Sequence, residues 1–188
     1  MAMRRKTSIH KRHKDDWYIE PAWVSRRLFQ VERFYGKVSD PFCGWGTIPT
    51  EAINISLDAE GFDISNRSIG VFGVEDFFSS ERTFDNIVTN PPFNDMEKVC
   101  REVCLRTSRK AAIICPLRRL PAAHSWLSEL PLARVYILTP RPSMPPGNKF
   151  IAGKIKASGG TVDYCWLVFE MSNPLIVKPR LLWLHRDH

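Results

Sequence analysis

The sequence predicts an α/β domain built on a doubly wound, mostly parallel sheet. Three observations carry that expectation. Short apolar runs with strand character alternate with segments of helical periodicity. Ala111-Ala112-Ile113-Ile114-Cys115 is an unbroken apolar run, as expected of a strand buried on both faces. Three successive strand candidates end in an acid, at Asp40, Asp63 and Asp76. In such sheets ligands sit beyond the carboxyl ends of the strands.

The elements follow in order. Pro21 suits the first turn of a helix, and Trp23, Val24, Leu28, Phe29 and Val31 share one face of it. Val38-Ser39-Asp40 closes a short strand, and the turn Asp40-Pro41-Phe42-Cys43-Gly44-Trp45-Gly46-Thr47 leads into a helix over 48–57. Strands are expected at 61–64, 71–76 and 85–90, the last stopped by Pro91-Pro92. A helix over 95–108 precedes the apolar strand at 111–115. A short helix at 124–130, with Trp126 and Leu127 packing inward, precedes strands at 133–138 and 164–169. Residues 139–160 read as a long loop with four prolines, four glycines and no acid.

Length and composition bound the rest. The 188 residues suit one domain, and 44% hydrophobic with 25% charged residues excludes global disorder. Net charge is +7, but Arg4, Arg5, Lys6, Lys11, Arg12 and Lys14 supply six cations without an acid in residues 1–14. The remaining chain is close to neutral. The expected organisation is a basic arm at 1–14, a domain at 15–170 and a tail at 171–188. Leu181-Leu182-Trp183-Leu184 in that tail reads either as an edge cover or as a subunit contact. No run is long and apolar enough to suggest a membrane span, and no secretory signal is visible, so a cytoplasmic protein is expected. Five cysteines without zinc spacing read as reduced thiols, and no metal site is expected.

The strand ends carry the chemistry. Gly44 and Gly46 remove side chains where backbone must approach a ligand. The spacing is neither GxGxxG nor a P-loop. Asp63 can accept hydrogen bonds from ribose hydroxyls. Asp76 can accept from an adenine amino group while an aromatic of Phe77-Phe78 stacks on the ring. The fourth strand ends in Asn90-Pro91-Pro92-Phe93. There an amide oxygen and a proline carbonyl are acceptors, the prolines stiffen the turn, and an aromatic offers a stacking platform. Together they can hold a planar amino group.

With these motifs in this order, the chain resembles the class I S-adenosylmethionine (SAM)-dependent methyltransferases. More narrowly, it resembles the small prophage-type DNA adenine N6-methyltransferases. The resemblance covers about residues 15–170. It implies SAM as cofactor. Tyr18 and Pro21 of the Trp17–Pro21 motif would lie at its methionine end, with Asp40, Phe42, Cys43, Gly44 and Gly46 beneath. Asp63 and Ile64 would lie at the ribose, and Asp76 and Phe77 at the adenine. Asn90, Pro91, Pro92 and Phe93 would be catalytic, with Asn90 also touching the cofactor. Glu20 departs from the pattern, since such enzymes commonly carry Thr there.

There is no separate target-recognition domain, so target contact falls to the arm and to Arg141, Lys149, Lys154 and Lys156 of the loop. DNA is the expected partner, with RNA (adenine N6 or guanine N2) as the alternative. A homodimer is plausible for so small a target-binding surface. A protein glutamine target fits less well, because those enzymes generally carry Tyr after the two prolines. A reading from another class is a non-catalytic nucleic-acid-binding module on a methyltransferase fold. If the six arm cations meet six phosphates, log affinity for DNA falls with log salt at a slope near about −5. Deleting residues 1–14 is then expected to flatten that slope in a binding titration. An unchanged slope would remove the arm from the interface.

Overall fold

A computed structural model describes residues 17–67, 73–154, 160–172 and 178–187. The arm at 1–14 and Lys156 lie outside the described residues. Eight strands form one sheet: β1 (Val38–Asp40), β2 (Ala59–Asp63), β3 (Gly73–Val74), β4 (Phe84–Thr89), β5 (Thr107–Pro116), β6 (Leu132–Thr139), β7 (Tyr164–Glu170) and β8 (Arg180–His185). Their order is β3-β2-β1-β4-β5-β7-β6-β8. Strand β7 runs antiparallel to both neighbours, while every other pairing is parallel. The expected doubly wound, mostly parallel sheet is therefore present.

The helices are α1 (Ala22–Val31), α2 (Thr47–Asn54), α3 (Met96–Arg106), α4 (Leu120–Leu127) and a short α5 (Gly147–Ile151). Alternation along the central strands sorts the core into two layers. Val88, Ala112, Ile114, Trp166 and Val168 face α1 and α2. Ile87, Ala111, Ile113, Leu167 and Phe169 face α3 and α4. Trp166 is fully buried, and its indole N–H donates to the Val24 carbonyl at 3.2 Å, tying β7 to α1. Between β2 and β4 the described residues form only a single 3-10 turn, at Phe77–Ser79, besides the two-residue β3.

Four elements differ from expectation, the first being α4, which forms at Leu120–Leu127 rather than over 124–130. The apolar strand begins directly after α3 and runs ten residues, because Thr107 to Lys110 pair with β4 as well. The loop after β6 contains α5. The tail is part of the sheet: β8 pairs with β6 over six registered positions, and Leu184 is buried against the α1 side. The domain therefore extends past residue 170, and Leu184 has the edge-covering role while Leu181 and Trp183 remain exposed. No described helix is long and apolar enough to cross a membrane. All five cysteines are free thiols.

At the edge opposite the strands' carboxyl ends, Glu32 clamps the sheet. It caps α1, is buried, and accepts from Lys110 Nζ at 2.6 Å, from the Arg134 guanidinium and from the Tyr136 hydroxyl at 2.9 Å. Glu170 adds a second carboxylate to Arg134. Burial alone would raise the Glu32 carboxyl, but its bonds to Arg134 and Lys110 bring it below the usual range. Its stabilisation is therefore complete above the ordinary carboxylate range and lost as pH falls through the depressed folded value. Glu32→Gln is expected to cost about 3–5 kcal/mol at neutral pH, since it strips a buried ion cluster of its central charge. Denaturant unfolding at neutral and acid pH would show the loss shrinking as pH falls. Equal loss at both would exclude the charge as its cause.

Candidate functional site

The carboxyl ends of β1, β2 and β4 meet where α2 leaves on one face and α3 on the other. The turn after β1 is shaped by Gly44 (φ 49°) and by Gly46 (φ 87°), which caps α2 in the left-handed region. The Gly44 N–H donates to Asp63 Oδ2 at 3.0 Å, and Ser65 N–H to Asp63 Oδ1 at 3.1 Å. Asp63 thus holds the turn while facing the cavity. Arg67 Nη1 also reaches Asp63 Oδ1 at 2.9 Å, and its guanidinium lies 5.5 Å from the Trp17 ring centroid.

The segment 17–20 straps over this edge. Trp17 is sandwiched between two glycines: a Cβ on Gly44 would come within 3.2 Å of the indole, and one on Gly147 within 2.4 Å. Its ring N–H donates to Asn148 Oδ1 at 3.0 Å, and Ile19 N–H donates to the Pro145 carbonyl at 3.1 Å. The long loop therefore holds the strap in place.

Two cavities border the Asn90–Phe93 segment after β4, and a third, about 930 Å³, borders the turn farther on at Asn94 and Asp95. The first, about 60 Å³, is lined by Trp17, Tyr18, Glu20, Phe42, Cys43, Gly44, Asp63, Ile64, Arg67, Asn90, Pro91 and Pro92. The second, about 220 Å³, is lined by Tyr18, Phe93, Pro116, Met144, Val162 and Tyr164, with Arg118 and Arg119 also on its wall. Tyr18 and Phe93 stack at 6.3 Å, and Phe93 meets Tyr164 at 5.8 Å. Asn90 Nδ2 donates to Glu20 Oε2 at 2.8 Å and to the Tyr18 carbonyl at 3.3 Å. Asn90 Oδ1 is buried without a hydrogen-bond partner. A buried acceptor left unpaired is costly, and among the described residues Asn86 Oδ1 and Thr89 Oγ1 share that condition.

Electrostatics at this edge are dominated by acids. Burial pushes the Glu20 carboxyl up to about 7 against hydrogen bonds from Asn90 and Thr47. Asp40, 1% exposed, is raised well above the usual carboxylate range, first by burial and further by the charges of Glu20 and Asp63. Burial likewise raises the Cys43 thiol, so it is no nucleophile. On the cavity wall, the Asp63 carboxylate complements a cationic ligand. The acceptor-bearing Asp63, the glycine turn and the exposed Ile64 complement a nucleoside. The donor set thus fits SAM, a sulfonium nucleoside carrying an ammonium group.

Eight of the sequence-predicted residues, Phe42, Cys43, Gly44, Asp63, Ile64 and Asn90 to Pro92, line the first cavity, and Tyr18 lines both. Others do not reach it. Asp40 lies beneath the turn, where its Oδ1 accepts from Phe42 N–H. Pro21 and Gly46 are helix caps. Asp76 caps the 3-10 turn, accepting from Phe78 N–H at 3.1 Å and Ser79 Oγ at 2.7 Å. Phe77 is 2% exposed and packs in the core between Phe42 and Phe84, so its ring is no adenine platform; Phe78 is the exposed neighbour. Arg141 is paired with Asp163. Lys149 and Lys154 are exposed near α5. Sequence reasoning gave no role to Glu20, Arg67 or Tyr164. The available signal for Glu20 was its place in the Trp17–Pro21 motif, where the resembled enzymes commonly carry Thr.

No protein-family model matches the sequence, and no curated protein matches it. Solved structures match by fold. A putative RNA methyltransferase from Pyrococcus horikoshii superimposes with a TM-score of 0.55 at 13% identity, over 79% of this chain and 80% of that one. Magnesium protoporphyrin IX methyltransferase from Synechocystis, with SAM bound, gives 0.52 at 13% identity, over 77% and 74%. TrmN from Thermus thermophilus gives 0.51 at 17% identity over 79% of this chain, which spans about half of TrmN (48%). The protein has the Rossmann-like fold of the SAM-dependent methyltransferases.

The Trp17 sandwich gives a test of the strap. Gly147→Ala is expected to displace the indole, to cost about 1–3 kcal/mol by overpacking, and to lower hydrogen-exchange protection of the Ile19 amide. Unchanged protection would show that the loop does not hold the strap.

Proposed function

We propose that the protein transfers a methyl group from SAM to an exocyclic amino group of a nucleic-acid base, adenine N6 in DNA. The observation that carries the reading is the buried, unpartnered Oδ1 of Asn90, a residue that lines the first cavity three positions before Phe93, which lines the second. SAM, when bound, would supply an electrophilic methyl carbon for transfer to the target nitrogen, with a neutral thioether as leaving group and the nitrogen's proton passing to solvent. The protein's contribution is alignment of the target nitrogen. Asn90 Oδ1 and the Pro91 carbonyl accept from the amino group and direct its lone pair toward the first cavity. Phe93, Tyr18 and Tyr164 give the base apolar and aromatic surfaces in the second cavity. Asp63 would hold the ribose hydroxyls, with Ile64 beside it on the wall of the first cavity. Arg118 and Arg119, on the wall of the second cavity, meet phosphate.

A base in a duplex must be flipped out at a cost of a few kcal/mol. Stacking returns about 1–3 kcal/mol per base, so phosphate contacts from the arm complete the balance. The RNA reading has one observation of its own, that a structure of similar fold is named an RNA methyltransferase.

Incubation with methyl-labelled SAM and duplex DNA, single-stranded DNA or RNA, followed by nucleoside mass spectrometry, decides among these. N6-methyladenine in DNA is the expected product. Asn90→Ala is expected to lower the rate at saturating SAM by about 10²-fold or more. Label in RNA alone moves the target, and SAM binding without label on any nucleic acid overturns the reading in favour of a binding module or a protein target.

A further inference from the structure

Glu20 borders the first cavity at 6% exposure, and amino-group transfer as described above gives it no part. Its Oε2 receives one Asn90 N–H, and the Tyr18 carbonyl faces the same nitrogen. A primary amide donates only through nitrogen and accepts only through oxygen. With Nδ2 committed to Glu20 and Tyr18, Oδ1 is the end turned away from the strap. Half a turn of the amide would set Oδ1 against a carboxylate and a carbonyl, acceptor against acceptor. An ionised Glu20 therefore selects one of two nearly isosteric orientations.

We propose that Glu20 is a positioning residue for methyl transfer: its carboxylate locks the Asn90 amide so that Oδ1, and not Nδ2, meets the target amino group. The inference rests on the amino-transfer reading of the site. It explains why an acid is useful there although a buried carboxylate is costly. A neutral hydroxyl can donate or accept and discriminates less between the two amide ends. A carboxylate accepts only.

The lock depends on ionisation, because a protonated carboxyl can also donate and so pair with either end of the amide. The groups around Glu20 set where that occurs. Burial raises its pKa to about 7, opposed by bonds from Asn90 at the end of β4 and Thr47 at the start of α2. Asp40 at the end of β1 and Cys43 in the turn both feel its charge. Asp63 at the end of β2 and Arg67, paired with it, lie on the same cavity wall. The orientation is thus selected more strongly as pH rises through about 7.

The test compares wild-type protein with Glu20→Gln, whose amide can pair with Asn90 in either orientation. The expected result is a kcat, measured at saturating SAM, lower by about 10-fold or more. The wild-type kcat is expected to show an acid limb with a midpoint near 7, absent from the variant. In NMR, the Asn90 side-chain amide resonances of the wild type are expected to titrate with that midpoint and those of Glu20→Gln not to. Circular dichroism checks that the variant folds. Weakened SAM binding with unchanged kcat would make Glu20 a cofactor ligand and overturn the proposal. An active wild type whose Asn90 amide is indifferent to pH and to Glu20→Gln overturns the lock alone. A wild type that binds SAM but methylates no nucleic acid overturns the amino-transfer reading, and with it the role of Glu20 in transfer.

Discussion

The parallel pairing of β1 with β4 is the constraint on which the rest of the molecule depends. Val38 and Ser39 lie in register with Asn86 and Ile87, so both strands end at the same edge. From there the chain leaves β1 toward one face, through the glycine turn and α2, and leaves β4 toward the other, through Asn90–Phe93 and α3. The edge between them is left open. Parallel pairing of β2 with β1 brings Asp63 to the same edge, and the buried Asp40 ends there too. Chemistry-bearing residues 50 positions apart become neighbours because the sheet has no alternative register that buries both its faces.

That open edge is closed by a segment from outside the sheet. Residues 17–20 reach across it, held by Trp17 between Gly44 and Gly147 and by backbone bonds to the long loop. The strap brings Tyr18 between the two cavities and Glu20 against Asn90. The cost is electrostatic. Glu20, Asp40 and Asp63 are crowded into a poorly solvated edge, and two of them have raised pKa values. At the opposite edge the buried Glu32 is met by Lys110, Arg134 and Tyr136. One end of the sheet is electrostatically satisfied, and the other is left short of cations. An arrangement that sacrifices stability in one place and secures it elsewhere is expected where a ligand supplies what is missing.

Much of the frame was legible from the chain because its signals are local. Acids after β1 and β2, glycines in a turn and prolines after β4 mark strand ends whatever the fold. The apolar run at 111–115 announces a central strand. What was not legible depends on partners distant in sequence. Leu181 to Leu184 become a strand only because β6 offers a free edge. Phe77 and Phe78 are adjacent aromatics, and only packing against Phe42 and Phe84 decides which ring is buried. Glu20, before a proline at a helix start, reads as an ordinary acid near a helix N-terminus. Its burial follows from the loop that clamps the strap. Tyr164 opens β7, and nothing in its neighbours reveals that it faces Phe93.

On the proposed reading, the distribution of cations separates target capture from chemistry. Near the candidate target cavity the cations are Arg118 and Arg119, while Arg141 is neutralised by Asp163. Around the body, Arg82, Arg101 and Lys37 are each matched by acids. A nearly neutral body of this kind gives little long-range attraction for a polyanion. The six cations of residues 1–14 carry almost all of the net charge, and they lie in sequence next to Trp17, the first residue of the strap. Any phosphate gripped by that arm is therefore tethered within a few residues of Tyr18 and Glu20. Short tethers give high effective concentration. On the proposed reading, this domain need not build a broad binding face. It can hold the backbone by the arm and leave the second cavity to select the base.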